Sequence, residues 1–146
     1  MFESAWRLFS PPTRRGVLVG DGAFQLRVVG TSYHQDLLEQ IAGARTRAGY
    51  HRCCGALLVP QPSNRYDRHA VAVIIHDLEV AHLARPDALE FGDVLRASRF
   101  ADVACEAEIV GGWLRSSDDW GYVGVRLNAL MPFQVQSAEE YEVSRA

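Results

Sequence analysis

Three apolar segments follow one another with no helical pattern between them, and this succession constrains the fold most strongly. Residues 53–59 and 70–75 are almost entirely apolar, and residues 80–83 form a shorter third segment. Apolar runs of this length are typical of buried strands. Parallel strands need a long crossover connection, usually a helix, which is missing here. The sequence therefore predicts antiparallel strands that are connected directly.

Residues 103–109 have the clearest strand pattern in the chain. Val103 and the apolar residues at every second position are predicted to face the core. Ala104, Glu106 and Glu108 alternate with them and are predicted to face solvent.

Hydrophobic spacing defines the remaining elements. Residues 24–30 and 122–127 are further strand candidates, whereas residues 33–41 have helical spacing. Pro86 is predicted to open a second helix, because proline is tolerated at a first helical position. The total is about six strands and two short helices. This count favours a mainly β (α+β) protein with a small antiparallel barrel.

A length of 146 residues is enough for one domain with its own core. We expect a lead-in over residues 1–23, a domain over residues 24–128, and a mobile acidic tail over residues 129–146. The sequence has no apolar run of membrane-spanning length and no secretory signal, and its three cysteines are an odd number. These features predict a soluble cytoplasmic protein without a disulfide framework.

The net charge of −3 argues against a broad electrostatic surface for duplex nucleic acid, although a small basic pocket remains compatible with it. All 15 basic residues are arginines. Every cation is therefore a planar guanidinium, which suits phosphates and carboxylates.

The loop between the first two apolar segments carries an unusual density of recognition chemistry. Five consecutive positions hold an amide, a guanidinium, an aromatic ring, a carboxylate and a second guanidinium: Asn64, Arg65, Tyr66, Asp67 and Arg68. A simple connector does not need these groups, so the loop is a candidate binding site.

Motifs for catalysis or metal binding are not recognisable. Residues 51–54 contain a histidine and two cysteines, but their spacing does not fit a zinc site. The nucleophile elbow G-x-S-x-G and the zinc motif H-E-x-x-H do not occur. We therefore expect no cofactor, no metal and no enzymatic activity of the chain itself.

The order of the strands and the loop between them resembles the HIRAN domain family, in its free-standing bacterial form. Residues 28–33 look like the family's opening strand and the aromatic residue that follows it, residues 56–73 like its central signature, and residues 80–85 like the short strand before its helix. The resemblance implies an OB-like β-barrel with two helices. It also implies binding of single-stranded DNA at a free 3′ end, in DNA repair or processing. A separately encoded helicase or nuclease would then supply the chemistry.

The resemblance also implies roles for individual residues. Tyr33 and Tyr66 would stack on the terminal bases, and Asp67 would accept a hydrogen bond from the 3′-hydroxyl. Contacts with sugar and phosphate would come from Asn64, His82 and Arg85, with Arg65 and Arg68 as possible additional contacts. The sequence departs from the family pattern at several positions, namely Ser32, Ser63, Arg65, His69 and Ala81.

Simpler interpretations remain open for the same residues. Tyr66 and Asp67 also fit an ordinary turn in which the ring packs over the barrel mouth. Tyr33 equally fits a core position, and Arg85 a solvated surface. At the level of function, the alternatives are a protein-interaction domain and a small hydrolase that uses Asp67 and His69, which share a face in an extended segment.

Overall fold

The computed structural model describes residues 15–145, with ten strands and three helices in that range. The strands are β1 (Arg15–Leu18), β2 (Leu26–Val29), β3 (Tyr50–Pro60), β4 (Val71–Ile75), β5 (Leu78–Leu83), β6 (Asp102–Gly111), β7 (Leu114–Ser116), β8 (Asp119–Trp120), β9 (Val123–Leu127) and β10 (Val135–Ser137). The helices are α1 (Gln35–Ala42), α2 (Arg85–Ala97) and α3 (Ala138–Arg145), and a 3-10 turn covers Thr31–Tyr33. No helix within this range has the length and apolar character needed to cross a bilayer.

Six strands form a closed antiparallel barrel in the order β6-β3-β4-β5-β2-β9, and β9 pairs back onto β6. This confirms the predicted fold, a mainly β, OB-like barrel with two short helices, α1 and α2. The strands β4 and β5 are joined by His76 and Asp77, whose φ angles of 51° and 65° are positive. A two-residue turn of this kind matches the twist of a tight hairpin.

The core lies inside the barrel and under its two helices. Leu38 and Ile41 of α1 and Phe91 of α2 are buried against the inward faces of the strands. The Phe91 ring meets Phe133 edge to face, with centroids 5.9 Å apart. The helices therefore contribute their apolar stripes to the same core as the strands.

A second, smaller core lies on the outer face of the barrel. Leu57 of β3 and Ala104 of β6 face outward and are buried beneath Val17 of β1 and Ala138 and Tyr141 of α3. The prediction that Ala104 faces solvent is therefore wrong, because other parts of the chain cover this face.

The covering segments lie outside the predicted domain of residues 24–128. Strand β1 pairs with the start of β6 in parallel orientation and with β10 in antiparallel orientation, and α3 follows β10 directly. Residues 135–145, within the segment for which the sequence predicts a mobile tail, thus form a strand and a helix. Most of the predicted lead-in, residues 1–14, lies outside the described residues.

Residues 114–120 contain the small hairpin of β7 and β8. The hairpin is held by an ion pair between Arg115 and Asp119 at 3.0 Å. The amide of Leu114 donates a hydrogen bond to the carbonyl of Arg47 at 3.1 Å, which ties the hairpin to the segment before β3.

Candidate functional site

The loop between β3 and β4 is organised by the side chain of Asn64. Its Oδ1 accepts hydrogen bonds from the backbone amides of Tyr66 (2.9 Å) and Asp67 (3.1 Å). Asp67 continues the pattern, since its Oδ1 accepts from the amide of His69 at 2.9 Å. Asparagine and aspartate stabilise turns in this way, by pairing with the backbone a few residues further on. The loop conformation is therefore encoded by its own sequence.

Gln61 connects this loop to strand β5. Its Oε1 accepts hydrogen bonds from Asn64 Nδ2 (3.2 Å) and from His82 Nε2 (2.9 Å). Its Nε2 donates to Glu79 Oε1 at 2.6 Å. The result is a polar network of four side chains, Gln61, Asn64, Glu79 and His82, which fixes the base of the loop against β5.

His82 also lies beside the end of β2. It is opposite Val29 in the β2–β5 pairing and opposite Ala72 in the β4–β5 pairing. The chain leaves β2 at Gly30, where φ is 86°, a left-handed conformation that glycine adopts without strain. The Thr31–Tyr33 turn follows at once and lies against β5 and β9. Three segments thus meet around His82: the loop of residues 61–70, the end of β2 with its turn, and β5 itself.

Tyr33 and Tyr66 both project from this region into solvent. Tyr33 is 86% exposed and Tyr66 is 89% exposed. Neither ring is in the core or covers the barrel mouth, so the packing alternatives for these two residues are wrong. Tyrosine is enriched at binding interfaces, because its ring supplies apolar contact area and its hydroxyl can stay hydrated.

Gln35 holds the Tyr33 turn in place. Its Nε2 donates to the carbonyls of Thr31 (2.9 Å) and Val123 (2.9 Å), and its Oε1 accepts from the amide of Val123 (2.8 Å). The side chain thereby pairs with the backbone of β9 much as a neighbouring strand would.

Arg85 begins α2, three residues after His82, and its side chain is exposed. The first turn of this helix also contains Asp87. Burial, and to a lesser extent the charge of Glu90, raises the pKa of the Asp87 carboxyl. The exposed guanidinium of Arg85 lies at this helix start, and the Asp87 carboxylate in the first turn interacts favourably with the positive end of the helix dipole.

The two additional arginines of the loop point to different surroundings. The Arg65 guanidinium lies 5.9 Å from the centre of the Tyr66 ring, at the distance of a cation–π contact. Arg68 and His69 line a small cavity of about 150 Å³ together with Leu89 and Arg96 of α2. Arg65 therefore belongs to the exposed aromatic side of the loop, and Arg68 to the side that faces α2.

Asp67 and His69 contact each other through a backbone amide. The carboxylate of Asp67 accepts from the backbone amide of His69, whereas the ring Nε2 of His69 lies 3.4 Å from Arg68 Nε. Among residues 15–145, no three His, Cys, Asp or Glu side chains are arranged to hold a metal ion.

The cysteines are poor nucleophiles at two of their three positions. Burial raises the pKa of the Cys54 thiol to about 11, and burial raises the pKa of the fully buried Cys105 thiol further. A thiol with such a pKa carries little thiolate at neutral pH. Cys53 points to the opposite face of β3 and is exposed.

Sequence reasoning did not identify Gln61, Glu79 or Gln35. Each is a single polar residue without a motif, and its role depends on a partner between 18 and 88 positions away in the sequence. The only local signal was the position of Gln61 immediately before the proline–serine–asparagine turn.

Comparison of the chain with models of known protein families, with curated proteins and with solved structures gives no match in any of the three.

Proposed function

We propose that the protein binds single-stranded DNA at a free 3′ end and acts in DNA repair or processing, with a separately encoded helicase or nuclease supplying the chemistry. The observation that carries this proposal is the convergence around His82 of two segments that each carry an almost fully exposed tyrosine. Two such rings on neighbouring segments suit the stacking of bases, which contributes about 1–3 kcal/mol per base.

Each proposed contact follows from the chemistry of its group. The Asp67 carboxylate accepts a hydrogen bond from a 3′-hydroxyl and repels a 3′-phosphate, so that it reads the end of the strand. Arg85 pairs with the adjoining phosphate, because a guanidinium binds phosphate oxygens bidentately. Asn64 and His82 hold the loop in position through Gln61 and face the same sugar and phosphate. Arg65 adds positive charge beside Tyr66.

Fluorescence anisotropy with short labelled oligonucleotides tests this function. We expect the unmodified 3′-hydroxyl strand to bind more tightly than the same strand with a 3′-phosphate. Tyr66→Ala removes one stacking surface and weakens binding roughly 5- to 150-fold, which corresponds to about 1–3 kcal/mol. Asp67→Asn removes the negative charge and reduces the discrimination between the two ends.

Tyr66→Phe is the matched control, because it keeps the ring and loses only the hydroxyl; its affinity stays close to that of the wild-type protein. Equal affinity for the two ends, together with an unchanged affinity of Tyr66→Ala, would contradict 3′-end recognition. Absence of binding at low salt would leave the protein-interaction alternative, in which the same exposed rings contact a protein.

A further inference from the structure

A second surface of the barrel has the properties of a phosphate-binding groove. It is a depression of about 460 Å³ over the outer faces of β2, β9 and β6. Its lining combines two arginines with exposed aromatic and polar side chains: Arg27, Arg126, Trp113, Tyr122, Thr31 and His51.

The two arginines are direct neighbours across adjacent strands. Arg27 of β2 and Arg126 of β9 are Cα partners in the antiparallel pairing, and both side chains are exposed. Like charges directly opposite each other destabilise a sheet. In the described part of the chain, neither arginine forms an ion pair within 4.0 Å.

One acidic residue also lines the groove. Glu108 of β6 is the Cα partner of Arg126 on the other side of β9. Its carboxylate lies 3.4 Å from His51 Nε2, and its side chain is only 13% exposed. With two arginines and one glutamate in its lining, and histidine counted as neutral, the groove has a formal charge of +1 in a molecule whose net charge is −3.

The groove is continuous with the proposed 3′-end site. Thr31 lines the groove and belongs to the same turn as Tyr33. Arg27 and Val29 lie two residues apart on one face of β2, a distance of about 7 Å, and Val29 is the partner of His82. A strand whose end is held near His82 can therefore pass over the arginine pair without leaving the surface.

We propose that Arg27 and Arg126 bind the backbone phosphates of single-stranded DNA on the 5′ side of the end-binding site. This inference rests on the proposed function, which supplies the polarity of the bound strand and the kind of nucleic acid. The like-charged pair is then explained, because a phosphate between two guanidinium groups accepts hydrogen bonds from both and relieves their repulsion.

The test compares oligonucleotides of about three and about ten nucleotides, since single OB-like domains occupy roughly 4–16 nucleotides. We expect the wild-type protein to bind the longer strand more tightly. In the double variant Arg27→Gln/Arg126→Gln, this gain is lost, and the slope of log affinity against log salt becomes shallower by about 1.4, or about 0.7 for each lost phosphate contact. Affinity for the short strand and preference for the 3′-hydroxyl stay unchanged.

Arg99→Gln is the control for the loss of positive charge. Arg99 is exposed and lies before the start of β6. The first residue of β6, Asp102, is already about 20 Å along the strand from Glu108. This variant keeps the length dependence of the wild-type protein. Thermal unfolding of the double variant checks its fold; we expect a melting temperature equal to or above the wild-type value, because a like-charge pair is removed.

The outcomes separate the two proposals. If the double variant binds both lengths as tightly as the wild-type protein, the groove proposal is wrong and the end site stands. If the wild-type protein binds long strands without any end preference, and the double variant binds them weakly, the end site is wrong and the groove stands. If an RNA strand of the same sequence binds more tightly than the DNA strand, the assignment to DNA is overturned.

Discussion

Single residues determine the shape of the recognition loop. Asn64 provides one oxygen for two consecutive backbone amides and one amide group for Gln61. These contacts set the backbone that carries Tyr66 and Asp67, so that an exposed ring and a carboxylate project from a defined turn. Local hydrogen bonds, rather than burial of apolar surface, offset the conformational entropy that is lost when the loop is ordered.

Asn64→Ala tests this role. The substitution leaves the amides of Tyr66 and Asp67 without their acceptor, and we expect the free energy of unfolding to fall by about 1 kcal/mol. In hydrogen exchange measured by NMR, both amides should lose protection. Ser63→Ala is the matched control, since Ser63 is an exposed neighbour in the same loop, and it should change neither quantity. Unchanged protection in Asn64→Ala would show that the loop is held by other contacts.

Elements are joined by side chains that take the place of backbone partners. Gln35, the first residue of α1, binds the backbone of Val123 in β9 through both ends of its amide. The Gln35 side chain therefore anchors the Thr31–Tyr33 turn to the barrel, and the direction of the Tyr33 ring depends on this anchor.

Gln35→Ala should detach this turn. It removes three hydrogen bonds, and we expect the free energy of unfolding in urea to fall by about 1–3 kcal/mol. Protection of the Val123 amide from hydrogen exchange should also decrease. Gln40→Ala is the control, because Gln40 is exposed in the same helix and the same side-chain atoms are removed. Equal stabilities of the two variants would contradict the anchoring role of Gln35.

Most elements could be predicted from periodicity, whereas their tertiary roles could not. The alternation along residues 103–109 identifies β6, since a strand between core and solvent must alternate. The same alternation fails at Ala104, whose cover comes from Val17 and Tyr141, far away in the chain. Helix α3 could not be predicted, because residues 139, 140 and 142 are acidic and few residues of the helix are apolar. Those few, such as Ala138 and Tyr141, contact the barrel.

The candidate site likewise contains residues that could be predicted from the sequence and residues that could not. The loop of residues 64–68 was recognisable because its chemistry is concentrated in consecutive positions. The arginine pair was not, because Arg27 and Arg126 are 99 positions apart and become neighbours only through the β2–β9 register. Strand pairing over such a distance leaves no local pattern in a single sequence.

At the scale of the whole molecule, β6 joins the barrel to its outer layer. Its residues 103–111 pair with β3 along nearly the whole strand. On its other side, residues 102–104 pair with β1 and residues 107–111 pair with β9. One long strand thus closes the barrel at one end and begins the extension of β1 and β10 at the other. The stability of this junction determines whether barrel and outer layer unfold together.

Asp102→Ala tests the junction. Arg15 of β1 is fully buried and pairs with Asp102 of β6 through two hydrogen bonds of 2.7 and 2.9 Å. Removing one partner of a buried ion pair costs about 3–5 kcal/mol, a large part of the roughly 5–15 kcal/mol that stabilise a domain. We expect urea unfolding at a much lower midpoint. The double variant Arg15→Met/Asp102→Leu should recover most of the loss, because it leaves no buried charge. An Asp102→Ala midpoint equal to that of the wild-type protein would mean that the Arg15–Asp102 pair does not stabilise the junction.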